Sequence, residues 1–271
     1  MSRIEKALEK ASRARESLQT TGTKPVPGRN PGQTARPSSD ALMNVTPLRI
    51  THPMLAAMRE KNDVAAEEYK KLRSLVVKLT KGEQFNNTLM VTSTISGEGK
   101  TLTALNLAIS LAKEYDHTVL LVDTDLRRPS IHKFLGIKPK AGLIQCIKDS
   151  LPLDKVLIKT GIGKLVVLPA GGTLDDPVEF LSSNRMKEII LELKTRYPDR
   201  YVIFDTPPML PFADAQVLKS SVDATLFVVR ERKAKVQHVR KMINSLQKDN
   251  FLGVVYNDIQ SYSSSNPYSY Y

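Results

Sequence analysis

An α/β fold, with a mostly parallel central sheet flanked by helices, is the prediction for this chain of 271 residues. Three observations carry it. From about residue 63 onward, short apolar β-rich runs alternate with segments of helical period, the pattern of a sheet covered on both faces. One of these runs passes into a small-residue loop and two others end in carboxylates, which is where a parallel sheet presents its ligands. A hydrophobic content of 41% at this length also suffices for one sizeable core.

The elements come in order. Ile4, Ala7, Leu8, Ala11, Ala14 and Leu18 recur at helical spacing among Lys, Arg and Glu, so residues 1–19 are expected to form a short amphipathic helix that docks on protein or membrane. Residues 20–50 turn to Pro, Gly, Thr and Ser, with Pro25, Pro27, Pro31 and Pro37, and read as a flexible linker. The folded domain is expected over 51–258. It opens with a helix at 63–81, where Val64, Tyr69, Leu72, Val76 and Leu79 share a face. Strands are expected at 88–92, 118–123, 165–168, 201–205, 224–229 and 252–256, and further helices at 101–114, 183–196 and 236–248. Residues 259–271 are polar and cannot pack as a core, so they read as a disordered tail.

Charge and cysteine usage narrow the function classes. Forty Lys and Arg against 28 Asp and Glu leave a net charge of +12, which favours anionic partners. Nucleic acid is not expected among them, because no basic block is interleaved with aromatics and Trp is absent. Cys146 is the single cysteine, which excludes an internal disulfide and a multi-cysteine metal site. The opening MSRIEKALEK reads as a charged helix rather than a secretory leader, so a cytoplasmic location is expected.

The chemistry-bearing residues fall in three places. VTSTISGEGKT runs from an apolar strand through a small-residue loop into a helix. Gly97 and Gly99 allow backbone N–H groups to converge on phosphate oxygens, Lys100 can reach the β- and γ-phosphates, and the Thr101 hydroxyl can bind Mg²⁺. Thr94 stands where the usual phosphate-loop pattern has its first glycine. In VLLVDTDLRRP, Asp123 and Asp125 sit at a strand's end as candidates for holding Mg²⁺ and for taking the proton of an attacking hydroxyl, while Arg127 and Arg128 can hold phosphate or pair with a neighbour. YVIFDTPP ends in Asp205, placed as a second acidic group for the metal or its water, and Asp214 reads as a helix cap.

In this order, the motifs resemble the bacterial tyrosine kinases, a branch of the MinD-like P-loop ATPases, and the resemblance covers residues 51–271. It rests on Ser96 to Thr101, Asp123 to Arg127, Asp205 to Pro208, and a terminal cluster of Tyr262, Tyr268, Tyr270 and Tyr271. The resemblance implies a P-loop nucleotide-binding fold and transfer of the ATP γ-phosphate to tyrosine, with Lys100, Asp123, Asp125 and Asp205 catalytic. Ser96, Gly97, Glu98, Gly99, Lys100, Thr101, Leu102, Arg127 and Asn257 would hold the nucleotide; Thr101, Asp123 and Asp205 would hold Mg²⁺. The four tail tyrosines, polar-flanked and free to react, would be the acceptors.

The opening further resembles autokinases encoded with exopolysaccharide systems. That resemblance implies a homo-oligomer attached peripherally to the inner membrane through a transmembrane polysaccharide co-polymerase that activates it. Glu67, Lys70 and Arg73 stand where the family has an E-x-x-R-x-x-R oligomer contact; Lys70 keeps the charge of the first Arg but loses its fork. Ile95 replaces the lysine with which related MinD-like ATPases reach across a dimer, which argues against a sandwich-dimer switch. The alternatives are a membrane-associated MinD-like ATPase and an idle scaffold of an export complex.

Overall fold

The computed structural model describes residues 48, 52–59, 63–82, 85–114, 116–196, 199–246 and 250–259. The expected helix over 1–19, nearly all of the 20–50 linker and the four tail tyrosines lie outside them. Among the described residues, no helix is long and apolar enough to cross a membrane.

Seven strands of the described residues form one sheet: β1 (Thr88–Ser93), β2 (Thr118–Asp123), β3 (Ile158–Lys159), β4 (Leu165–Leu168), β5 (Arg200–Asp205), β6 (Ala224–Arg230) and β7 (Phe251–Asn257). Their order is β3-β4-β2-β5-β1-β6-β7, and every pair is parallel except β3 with β4. β1, β2, β4 and β5 are buried throughout, which is why their sequences are continuous apolar runs rather than alternating ones.

Among the described residues, eight helices cover the sheet: α1 (Val64–Thr80), α2 (Lys100–Ala112), α3 (Ile131–Leu135), α4 (Leu143–Lys148), α5 (Val178–Ser182), α6 (Asn184–Thr195), α7 (Asp214–Leu218) and α8 (Val236–Leu246). Because strand side chains alternate, two cores result. Leu89, Val91, Val119, Leu121 and Ile203 join Leu105 and Ile109 of α2 on one face. Met90, Leu120, Val122, Val202 and Phe204 join Leu143, Met186 and Ile189 from α4 and α6 on the other. Truncating a fully buried member such as Leu105 to Ala costs about 2–5 kcal/mol.

The six predicted strands and four long helices are present, with ends moved by a residue or two where they are described; the expected end of the last helix, at 248, lies outside the described residues. The face of α1 differs from expectation. Asp63 caps the helix by accepting from the Ala66 N–H at 3.0 Å, and Ala66, Val76 and Thr80 are its buried side chains. Val64 and Leu79, expected on that face, are 45% and 49% exposed. The Thr80 hydroxyl, 2.7 Å from the Tyr201 hydroxyl, fixes the helix end against β5 and so sets which stripe turns inward.

Candidate active site

The strand order places β2, β5 and β1 side by side, so their C-terminal ends bring the three motifs to one edge. Asp123 is in register with Asp205, and Asp205 with Val91 of β1. The loop leaving β1 is tied to its neighbour: the N–H groups of Met209 and Leu210 donate to the carbonyls of Ser93 and Thr94 at 2.9 and 3.1 Å.

Gly97 and Gly99 have φ of 84° and 92°, a left-handed conformation in which any side chain is strained. A Cβ at Gly99 would also fall 2.2 Å from Asn257 Nδ2. That amide nitrogen donates to the Glu98 carbonyl at 2.9 Å, so Asn257 braces the loop from β7. Glu98 is fully buried: its carboxylate accepts the Ile95 N–H at 2.7 Å and the Arg230 N–H at 3.4 Å. The Glu98 side chain, expected among the nucleotide contacts, is thus turned into the protein as a brace. Arg230 also donates to the Gly97 carbonyl at 3.3 Å, and the Lys233 side chain lies over Gly97. Neither residue belongs to a sequence motif; the available signal is that Arg230 ends an apolar strand, the one that pairs with β1.

Lys100 opens α2 and is the centre of the charge arrangement. Its Nζ lies 2.7 Å from Asp125 Oδ2, 3.6 Å from Asp205 Oδ1 and 3.3 Å from Thr101 Oγ1. Burial opposes its charge, but Asp205 and Asp125 outweigh that and raise its pKa. Asp125 Oδ1 accepts the Arg128 N–H at 3.1 Å. Asp123 Oδ2 accepts the N–H groups of Ser130 and Ile131, each at 3.1 Å, which caps α3. Burial, then the charge of Asp205, pushes the Asp123 carboxyl up to about 8. Burial likewise pushes Asp205 up to about 6, against the nearby lysine.

Three carboxylate oxygens of the site have no hydrogen-bond partner among the described residues: Asp123 Oδ1 and both of Asp205, all in fully buried residues. Buried carboxylate oxygens are seldom left so, and hard acceptors beside a phosphate loop fit Mg²⁺. No cluster of three or more His, Cys, Asp or Glu enclosing a metal occurs among the described residues, and Mg²⁺ shared with nucleotide phosphates requires none.

Other predicted residues have different places. Arg127 is the pairing form of its two readings: it contacts Asp214 Oδ2 at 2.9 Å and Oδ1 at 3.1 Å, reaches the Asp175 carbonyl, and stacks 4.5 Å from the Phe212 ring centroid. Asp214 is therefore not the cap of α7, whose cap is Ala213; it is the buried partner of Arg127. Glu67 and Lys70 pair at 2.8 Å on the exposed side of α1, whereas Arg73 turns back to Glu114 at 2.8 Å. Ser96, Gly97 and Leu102 lie along the loop and the start of α2.

Residues 87–251 match the family model described as AAA domain. The tyrosine-protein kinase YwqD of Bacillus subtilis is 33% identical over 217 residues, covering 79% of this chain and 90% of that one. The kinase domain of Escherichia coli tyrosine kinase ETK is 30% identical at a TM-score of 0.70, covering 80% of this chain and 84% of that one. A cell division ATPase MinD of Pyrococcus furiosus shares the fold, with a TM-score of 0.52 at 23% identity over 63% of this chain and 70% of its own. Some relatives are much longer: the chain spans 31% of the tyrosine-protein kinase ptk of Acinetobacter johnsonii. The chain belongs to the AAA domain family and, within it, to the bacterial tyrosine kinases, with the P-loop fold that MinD shares.

Proposed function

We propose that the chain is an ATP-dependent protein-tyrosine autokinase that phosphorylates its C-terminal tyrosines between subunits. The observation that carries this reading is the convergence of Lys100, Asp125 and the two under-partnered carboxylates Asp123 and Asp205 at the mouth of one phosphate loop. Loop amides and Lys100 would bind the ATP β- and γ-phosphates, so that Lys100 meets the charge that develops on the transferred group. A γ-phosphate that draws the ammonium away frees the Asp125 carboxylate, now 2.7 Å from it, to accept the tyrosine proton. Thr101, Asp123 and Asp205 would hold Mg²⁺, which when bound neutralises phosphate oxygens. Arg127, fixed on Asp214, keeps the loop after Asp125 in place.

The acceptors are Tyr262, Tyr268, Tyr270 and Tyr271, which lie among Ser, Asn and Pro. Thirteen residues after 258 span up to about 43 Å at roughly 3.3 Å each, enough to reach an adjacent copy. The wider role in this reading is exopolysaccharide chain-length control and export, as a homo-oligomer on the cytoplasmic side of the inner membrane, bound to a transmembrane co-polymerase that activates it. The tyrosine-rich segment distinguishes it from a MinD-like switch, which has no use for clustered tyrosines.

A mixing experiment tests it. Lys100→Met protein is incubated with Mg-ATP and an active partner whose four tail tyrosines are Phe, and labelled tyrosines are located by mass spectrometry. Label on the inactive partner is expected. Its absence, under conditions where the unaltered chain labels itself, overturns transfer between subunits; ATP hydrolysis with no phosphotyrosine in any mixture favours the switch.

A further inference from the structure

Next to the candidate active site lies a second polar cavity that phosphotransfer does not use. It is a cleft of about 660 Å³ between residues 127–139 and the loop 170–173 after β4. Arg128, His132, Lys133 and Lys138 line it, and no Asp or Glu does. Arg127, also in the lining, is neutralised by Asp214, and burial with the neighbouring Lys133 lowers the His132 pKa, so that the cations are Arg128, Lys133 and Lys138. These three have no ion-pair partner among the described residues and are exposed. Solvated lysines scattered over a basic protein are ordinary; cations gathered without counter-charge in a concavity make a focused positive field.

The walls add a second requirement. Pro129 and Ala170 are buried and Ile137 and Pro139 half-buried, so apolar surface stands beside the cations. Free phosphate would use only the charges, and a flat lipid surface cannot enter a cleft. An aromatic ring carrying an anion uses both, and the volume lies within the roughly 300–1,000 Å³ of small-molecule sites.

The sequence supplies such a group. Residues 259–271 contain four tyrosines and no charged side chain, so phosphorylation alone gives this segment side-chain charge to meet the cluster, roughly −1.5 to −2 for each phosphate. We propose that the cleft is a phosphotyrosine site for the C-terminal segment of this chain, filled after phosphotransfer rather than before it. This rests on the autokinase reading. The cleft begins where the active site ends: the Arg128 N–H donates to Asp125 Oδ1 at 3.1 Å. A phosphorylated tyrosine repelled by the carboxylates finds cations at the next residues, while an unmodified tyrosine brings no charge to hold it there.

Fluorescence anisotropy tests this on the nucleotide-free full chain, with labelled peptides of residues 261–271 bearing or lacking phosphate on Tyr268. The phosphopeptide is expected to bind at least about ten-fold more tightly. Lys133→Glu/Lys138→Glu should remove that preference while leaving ADP binding unchanged; Lys138→Gln alone should weaken it in the same direction. A peptide with phosphoserine at Ser269 in place of phosphotyrosine should bind more weakly, because it leaves the apolar walls unfilled. Equal binding of phosphorylated and plain peptides, full retention by both variants, or displacement by inorganic phosphate as effective as by phosphopeptide would each overturn the proposal. Incubation of the same protein with Mg-ATP keeps the two readings apart. Selective capture without autophosphorylation sinks the kinase reading and leaves the cleft, whereas autophosphorylation without selective capture sinks the cleft alone.

Discussion

Two groups of charges meet at Asp125 and Arg128, three residues apart in the chain, and obey opposite rules. Asp123, Asp125 and Asp205 are buried and lie around the nearly buried Lys100, and the protonation of Lys100, Asp123 and Asp205 depends on these neighbours. Arg128, Lys133 and Lys138 are exposed and have no ion-pair partner among the described residues. The first group carries an internal cost: more negative charge is buried than the lysine can neutralise, which is tolerable only where a ligand completes the balance. The second costs the fold almost nothing and can be altered without harm to it. Stability and activity should therefore oppose each other in the first group and be unlinked in the second.

The largest expected effect comes from disrupting the buried group. Asp205→Asn should reduce phosphotransfer by about a hundred-fold or more, since on the proposed reading it removes a carboxylate that would hold Mg²⁺. It should also raise the stability of the nucleotide-free protein, by on the order of 1–3 kcal/mol at pH 8. Chemical denaturation and a phosphotyrosine assay on the same preparation check both; a variant that is inactive and less stable would contradict the contrast between the groups.

The pH dependence puts the same contrast to a finer test. The folded-state values of Asp205 and Asp123, about 6 and about 8, lie above the ordinary 3.8, so the folded form binds protons that the unfolded form has released. That contribution favours folding at low pH and is lost as pH rises from about 4 toward 8. Melting curves of nucleotide-free protein should fall across this window from these two groups, and Asp205→Asn should flatten the fall. Saturating Mg-ADP should flatten it too, by giving the ionised carboxylates a cation.

A smaller effect belongs to the braces. Glu98→Ala removes the acceptor of the Ile95 and Arg230 N–H groups, and it should raise the KM for ATP about ten-fold with less effect on kcat, because the loop loses its preset shape. Steady-state kinetics separate the two. The smallest expected change is Lys70→Ala: its pair with Glu67 is half exposed, so monomer stability should move by less than about 0.5 kcal/mol. If sedimentation shows that self-association weakens nonetheless, the α1 face is an oligomer contact.

Much of the fold is legible in the sequence because its signals repeat. Fully buried strands are unbroken apolar runs, and α2, α6 and α8 extend over enough turns to show their period. The two-residue β3 and the five-residue α3, α5 and α7 are too short to show any. The stripe of α1 departs from its periodicity at Val64 and Leu79 because a period gives a face but not its rotation, which the Thr80 to Tyr201 contact decides. Within the site, Lys100 and the acidic residues are legible from their places at strand and loop ends. The brace roles of Glu98, Asn257 and Arg230 are not, since each depends on a partner far along the chain. The partner of Arg127 is Asp214, 87 residues away, and no local pattern announces it.

Asp123 is used at both ends. One oxygen is buried without a hydrogen-bond partner, and the other holds the N–H groups of Ser130 and Ile131 at the start of α3. The carboxylate is therefore a lever with its fulcrum at the end of β2, and whatever tilts one arm tilts the other. His132 and Lys133 ride on the far arm, in the second and third positions of α3. A ligand gripping the unpartnered oxygen would reposition these two basic residues, and by reciprocity a ligand seated on them would change how tightly that oxygen is gripped.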